Sequence, residues 1–194
     1  MLGLWVVGCH RGPDLQPRST DDPGFGYYRV AVQDDEGHRR RFRMLLHVAT
    51  PDRIHAEILT PVGTTVWILD AGNGRLSMTD VRHGEAWVGD DDGTMLGDWI
   101  GVRLTAQSLV GAILEGVAPN GWRVERQASP TSILPESLEV EDAHVRLTFD
   151  LRRIRPLGGD AASLGTGRPP PGVQIHELDR FPTERIVDVD GEAP

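Results

Sequence analysis

Between residues 53 and 69, RIHAEILTPVGTTVWIL, apolar and polar positions alternate one for one. Ile54, Ala56 and Ile58 alternate with Arg53, His55 and Glu57; Val66 and Ile68 alternate with Thr65 and Trp67. A period of two over this length predicts two half-buried antiparallel strands with the first-named residues of each set turned to the core. The break between them, Pro61-Val62-Gly63-Thr64, predicts a tight turn. Pro61 pre-sets φ at the first corner, and Gly63 supplies the positive φ that a type II turn needs. Val62 is then an apolar side chain held at an exposed tip.

The same period recurs on both sides. Strands are predicted at 27–33 and 41–48, joined by a turn rich in Asp and Gly; in the second, Phe42, Met44, Leu46 and Val48 share one face and Arg41, Arg43, Leu45 and His47 the other. Short strands follow at 75–81 and 85–88, with Gly72-Asn73-Gly74 as a hairpin turn. Further strands are predicted at 121–127, 137–141 and 145–151, the last with Val145, Leu147, Phe149 and Leu151 inward. One stretch changes period. Over 105–116, Ala106, Leu109, Val110, Ile113, Leu114 and Val117 form a continuous stripe at helical spacing. Thr105 suits the N-cap, Gly116 the position just past the end, and Pro119 lies beyond. The expectation is a mainly β fold with one or two helices: an incomplete, strongly curved antiparallel β-barrel covered on one side by a helix. Such a half-barrel lined by apolar side chains can hold a small ligand.

Outside this region the pattern weakens. Residues 10–26 are polar, with Pro13, Pro17 and Pro23, and read as a flexible tether. Residues 156–172 are rich in Gly and Pro, and 173–189 add one or two strands; 156–194 as a whole form an extension with no assigned role.

Composition narrows the function classes. At 194 residues, with 39% hydrophobic and 25% charged positions, the expectation is one globular domain with tails. A formal net charge of -9, with every cation an Arg, argues against nucleic acid and against attraction to an anionic bilayer by overall charge. The run Arg39-Arg40-Arg41-Phe42-Arg43 stands against that trend. It reads as the solvated face of a strand or as a docking patch for an acidic partner. One cysteine excludes an internal disulfide framework and a Cys-rich metal site. The seven His residues are scattered, His47 and His55 at outward strand positions where solvation is the default, while Asp70 and Asp80 flank turns. Asp90-Asp91-Asp92-Gly93 lacks the alternation of a calcium loop. No nucleophile elbow, phosphate-binding Gly loop or dinucleotide fingerprint is present. The expectation is a binding protein with no catalytic residues, metal or cofactor.

Four stretches carry two resemblances. MLGLWVVGC, residues 1–9, is apolar and ends in Val6-Val7-Gly8-Cys9, which resembles the lipobox of bacterial lipoproteins, where the cysteine is acylated. It lacks a basic leading region and reads as a truncated signal segment. The alternative is a buried free thiol at Cys9. ILTPVGTTVWIL, then DWIGVRLTAQSLVGAILEGVAP, then LPESLEVEDAHVRLTFDLRRI resemble, in order and spacing, the outer-membrane lipoprotein receptor family LolB, of the LolA/LolB-like carrier fold. The resemblance covers residues 27–155.

It implies a half-barrel that accepts the acyl chains of lipoproteins, receives them from a periplasmic carrier protein and inserts them into the outer membrane. The implied protein is lipid-anchored through Cys9 in the bacterial cell envelope, facing the periplasm. The cavity residues are Phe42, Met44, Leu46, Ile54, Ala56, Ile58, Val66, Ile68, Leu109, Ile113, Leu147 and Phe149. The tip Pro61, Val62 and Gly63 is the implied membrane contact. Two alternatives stay open: an envelope lipoprotein that binds another lipid, and a scaffold lipoprotein with a filled core.

Overall fold

The computed structural model describes residues 24–154 and 164–177. Cys9 and most of the expected tether lie outside them, as does much of the C-terminal extension. Ten strands and two helices follow in the order β1 (Gly24–Asp34), β2 (Arg39–Ala49), β3 (Arg53–Leu59), β4 (Thr65–Gly72), β5 (Arg75–Asp80), β6 (Glu85–Asp90), α1 (Thr94–Ile100), α2 (Ala106–Glu115), β7 (Arg123–Gln127), β8 (Ser137–Glu141), β9 (Val145–Ile154) and β10 (Gln174–Glu177). They make one sheet in the order β10-β6-β5-β4-β3-β2-β1-β9-β8-β7. The pairings are antiparallel except β10 on β6, which is parallel. The sheet is open: β10 and β7 are edges and do not pair with each other. The fold is thus mainly β, an incomplete barrel covered by helices.

The strand periods account for this. Cross-strand partners share a face, so Leu46, Ala56, Leu69, Met78 and Trp87 form one continuous apolar row across five strands. That face is the core, and the two helices cover it. Trp99 of α1 packs its ring 6.4 Å from Phe42 and 6.4 Å from Trp67, and α2 packs over β3. Burying a side chain of this size removes on the order of 2–3 kcal/mol of apolar exposure to water.

Helix α2 has the predicted ends. The Thr105 side chain accepts from the Ser108 N–H at 3.2 Å, and Gly116, at φ 71°, donates to the Ala112 carbonyl. Arg126 of β7 ties the C-terminal turn to the sheet, its Nε donating to the Ile113 carbonyl at 2.9 Å. Val117, taken as the last residue of the apolar stripe, lies past that end and is 55% exposed.

Four features differ from the sequence reading. The first strand begins at Gly24, so the last three residues of the expected tether pair with β2. Helix α1 was not anticipated; it runs between Gly93 and Gly101 and buries Met95, Leu96 and Trp99. The turn after β3 is not of type II. Gly63 N–H closes onto the Thr60 carbonyl, which puts Pro61 and Val62 at the two corners, and Val62 does not take a positive φ. Gly63 itself, at φ 90°, follows the corners as the left-handed residue of a bulged turn. Lastly, the pairing of β3 with β4 shifts between Ile58 and Leu59, and Val66 is the extra residue. That bulge reverses the phase of β4. Trp67, Leu69 and Ala71 face the core beside Ile58, Ala56 and Ile54, and Ile68 faces the other way beside Glu57.

Candidate functional site

Ten of the twelve residues expected to line a cavity are buried in one core cluster beneath the helices: Phe42, Met44, Leu46, Ile54, Ala56, Ile58, Val66, Ile113, Leu147 and Phe149. Leu109 is half-buried and packs against the same cluster from α2. Ile68 does not belong to it, because the bulge at Val66 turns it to the opposite face of the sheet. The places it was expected to fill are taken by Trp67 and Leu69. Trp67 stands 6.0 Å from Trp87, and with Trp99 these rings form the β4–β6 end of the apolar face.

The hairpin tip is separate from this face. Pro61, Val62 and Gly63 are all exposed, Val62 at 88%. Its side chain does not fold back on the strands. The turn beneath it is held by Thr60 N–H to the Thr64 carbonyl at 2.9 Å, and the Arg43 guanidinium donates to the Pro61 carbonyl.

Arg43 belongs to a cationic row on the face away from the helices. Arg29 and Arg43 are directly opposite on β1 and β2, and Arg41 and Arg39 continue the row. With Leu59 and Pro61 these four line a cleft of about 400 Å³. Asp150, the neighbour of Arg29 on β9, borders the same cleft.

A third arrangement lies on the same outer face, and the sequence reading did not anticipate it. His47, His55 and Asp70 come level on β2, β3 and β4. His55 Nδ1 meets Asp70 Oδ2 at 2.9 Å, its Nε2 lies 3.6 Å from Glu57 Oε1, and Thr65 Oγ1 donates to Glu57 Oε2 at 2.7 Å. The Asp70 carboxylate also accepts three backbone N–H groups from the extension, those of Gly165 at 3.2 Å, Thr166 at 2.6 Å and Gly167 at 2.8 Å. Arg53 Nε donates back to the Gly165 carbonyl at 3.2 Å. The extension therefore runs across β3 and β4 as a clasp. Its approach is so close that a side chain at Gly72 would stand 2.2 Å from the Gly165 carbonyl oxygen.

His47, His55 and Asp70 are consequently not the solvated or turn-flanking groups expected of them. His47 is 2% exposed and Asp70, inside β4, is 6% exposed. Burial draws the His55 pKa down, but hydrogen bonds to Asp70 and Glu57 outweigh it and leave it raised to about 9. Burial, then the charge of His55 facing it, lowers that of His47 to about 4, and among the described residues the buried His47 Nε2 has no hydrogen-bond partner. Glu57 is held below the usual carboxylate range by its bond to His55. The cluster follows from the register: with β3 and β4 paired through the bulge, His55 must face Asp70, and alternation alone does not reveal that bulge.

Chemically, the clasp surrounds the Asp70 carboxylate with donors: the His55 imidazole, three backbone N–H groups and, at 3.5 Å, the Thr166 hydroxyl. Among the described residues no group of three or more His, Cys, Asp or Glu is placed to hold a metal ion, and no helix is long and apolar enough to cross a membrane. Among the described residues, the hairpin tip and the arginine cleft are open to another molecule, while the apolar face lies buried under α1 and α2. No family model matches the chain, and no curated protein matches it.

Proposed function

We propose that this chain is a lipoprotein-binding receptor of the LolB kind, which accepts the acyl chains of lipoproteins between its open sheet and the α1–α2 cover and passes them to the outer membrane. The observation that carries the reading is the unclosed sheet whose apolar face is covered by two short helices, carried on the connection that crosses from β6 near one edge to β7 at the other. A cover of this kind is joined to the sheet by side-chain packing and a few hydrogen bonds, such as Arg126 Nε of β7 donating to the Ile113 carbonyl at 2.9 Å. Shifting it opens apolar surface without breaking a strand ladder.

The energetics favour such a device. Each buried methylene is worth about 0.8 kcal/mol, so an acyl chain crosses water only when shielded. If affinity rises from a periplasmic carrier to this receptor and then to the bilayer, transfer needs no cofactor and no energy source. Acylation at Cys9 would hold the receptor at the membrane it serves, and Val62 at the tip would touch that surface during release. Burying one valine contributes about 1.5 kcal/mol, enough to bias a transient contact and too little to anchor the protein.

A scaffold lipoprotein with a filled core is the second reading, favoured by the continuity of the buried cluster. Native mass spectrometry of the protein purified from a bacterial envelope without detergent separates the two. The receptor carries lipid of defined mass and exchanges it for a fluorescent fatty acid. A chain that is always empty and takes up no fatty acid is a scaffold.

A further inference from the structure

We propose that the arginine cleft beside the hairpin tip binds the phosphate headgroups of anionic lipids and sets the angle at which the tip meets a bilayer. This rests on the reading of the tip as a membrane contact and adds the partner that the neighbouring side chains recognise. The first observation is a departure from what stability alone favours. Like charges directly opposite on adjacent strands destabilise a sheet, yet Arg29 faces Arg43, and Arg41 and Arg39 extend the row. Among the described residues no carboxylate lies in salt-bridge range of any of the four. Asp150, at the border of the cleft, pairs with Arg152 at 3.7 Å instead. Arg29, Arg39 and Arg41 are exposed and, with the half-buried Arg43, line a cleft of about 400 Å³, where they are available to an anion from outside.

The second observation is the connection to the tip. Arg43 donates to the carbonyl of Pro61, and the next residue is Val62, 88% exposed. A guanidinium fork matches the oxygens of a phosphate, and an apolar side chain beside a cationic patch is the combination that settles at a headgroup boundary. An acidic protein would match the arginines equally well; the bare valine at the tip favours the bilayer. The formal charge of -9 does not oppose this. Charges farther than about 10 Å from the surface are largely screened at 0.1 M salt, so the local row decides the orientation.

Vesicle flotation tests the assignment. The full chain carries Cys9→Ser so that acylation plays no part, and the vesicles are phosphatidylcholine alone or mixed with phosphatidylglycerol. One cation near an anionic surface strengthens binding about fivefold. The protein is expected to bind the mixed vesicles at least tenfold better than the neutral ones. Arg29→Gln/Arg39→Gln/Arg41→Gln, which leaves the Arg43 bond to the turn in place, is expected to lose that advantage while keeping its melting temperature. Should the triple variant fail to fold, Arg29→Gln and Arg41→Gln singly are each expected to lose about fivefold. Equal binding to both vesicle types, or undiminished binding by the variants, overturns the assignment. So does arginine-dependent binding to polyglutamate without binding to vesicles, which would make the partner an acidic protein. Displacement of a fluorescent fatty acid, measured on the same samples, reads the apolar face independently. Protein that floats with anionic vesicles yet takes up no fatty acid refutes lipoprotein binding and leaves the headgroup assignment standing.

Discussion

His47 and His55 face each other across β2 and β3, and two adjacent buried imidazoles cannot both be protonated without mutual repulsion. The structure resolves this by giving the proton to His55, whose partners are Asp70 and Glu57. Each imidazole then contributes a limb to the pH dependence of stability. The His55 pKa is raised to about 9, so its contribution is complete below an unfolded value of about 6.5 and is lost as pH rises through about 9. The His47 pKa is lowered to about 4, so its contribution is present above about 6.5 and is lost as pH falls through about 4. Glu57, lowered by the same bond, adds to the acid limb. The melting temperature should therefore peak near neutrality. His55→Gln should flatten the alkaline side of the curve and His47→Leu the acid side; an alkaline limb that survives His55→Gln would assign it to another group. A second prediction at this scale concerns Val62. Its side chain is in water, so Val62→Glu should leave stability within about 0.5 kcal/mol of wild type. It should leave fatty-acid uptake intact and slow delivery of a bound lipoprotein to liposomes. Delivery at the wild-type rate would remove the tip from the mechanism.

At the scale of elements, what was legible in the sequence was whatever rests on period and caps. The β2 and β3 alternation and the Thr105 to Gly116 frame of α2 were readable because local chemistry dictates them. The bulge at Val66 was not, since a single inserted residue leaves the alternation on each side intact while reversing which set faces the core. That one residue is why Ile68 faces away from the core, why Trp67 faces into it, and why Asp70 stands opposite His55. Helix α1 was hidden by its length, although Met95, Leu96 and Trp99 between two glycines are the trace of it. The clasp has little side-chain signature, because the shortest bonds it makes to Asp70 come from the backbone N–H groups of Thr166 and Gly167, with that of Gly165 beside them. It is testable through the close approach at Gly72. Gly72→Ala would force the Gly165 carbonyl away and strip the Asp70 carboxylate of its backbone donors. Leaving such buried groups unpaired costs about 1–3 kcal/mol. Hydrogen exchange should show the amides of residues 165–167 losing protection at least tenfold, with the β2–β3 ladder unchanged. Equal protection would mean that the extension is held elsewhere.

Over the whole molecule, the same alternation that made the fold readable conceals whether its interior is a cavity or a core, since both require apolar side chains on one face. Burial does not separate them either, because a cover that shifts to admit an acyl chain buries the same residues when closed. Volume does. Ala56 is 2% exposed, sits in the central row between Leu46 and Leu69, and is the smallest side chain in that row. In a filled core Ala56→Leu must displace its neighbours, and overpacking of this kind costs about 1–3 kcal/mol. Beneath a movable cover the added methylenes occupy space that an acyl chain would use. The receptor reading therefore predicts that Ala56→Leu melts within a few degrees of wild type and binds a fluorescent fatty acid at least fivefold more weakly. A scaffold would show the opposite pairing: a large fall in melting temperature, and a wild type from which no fatty acid can be displaced. Measuring both quantities on one variant matters, because a loss of binding that accompanies unfolding would report only on the core.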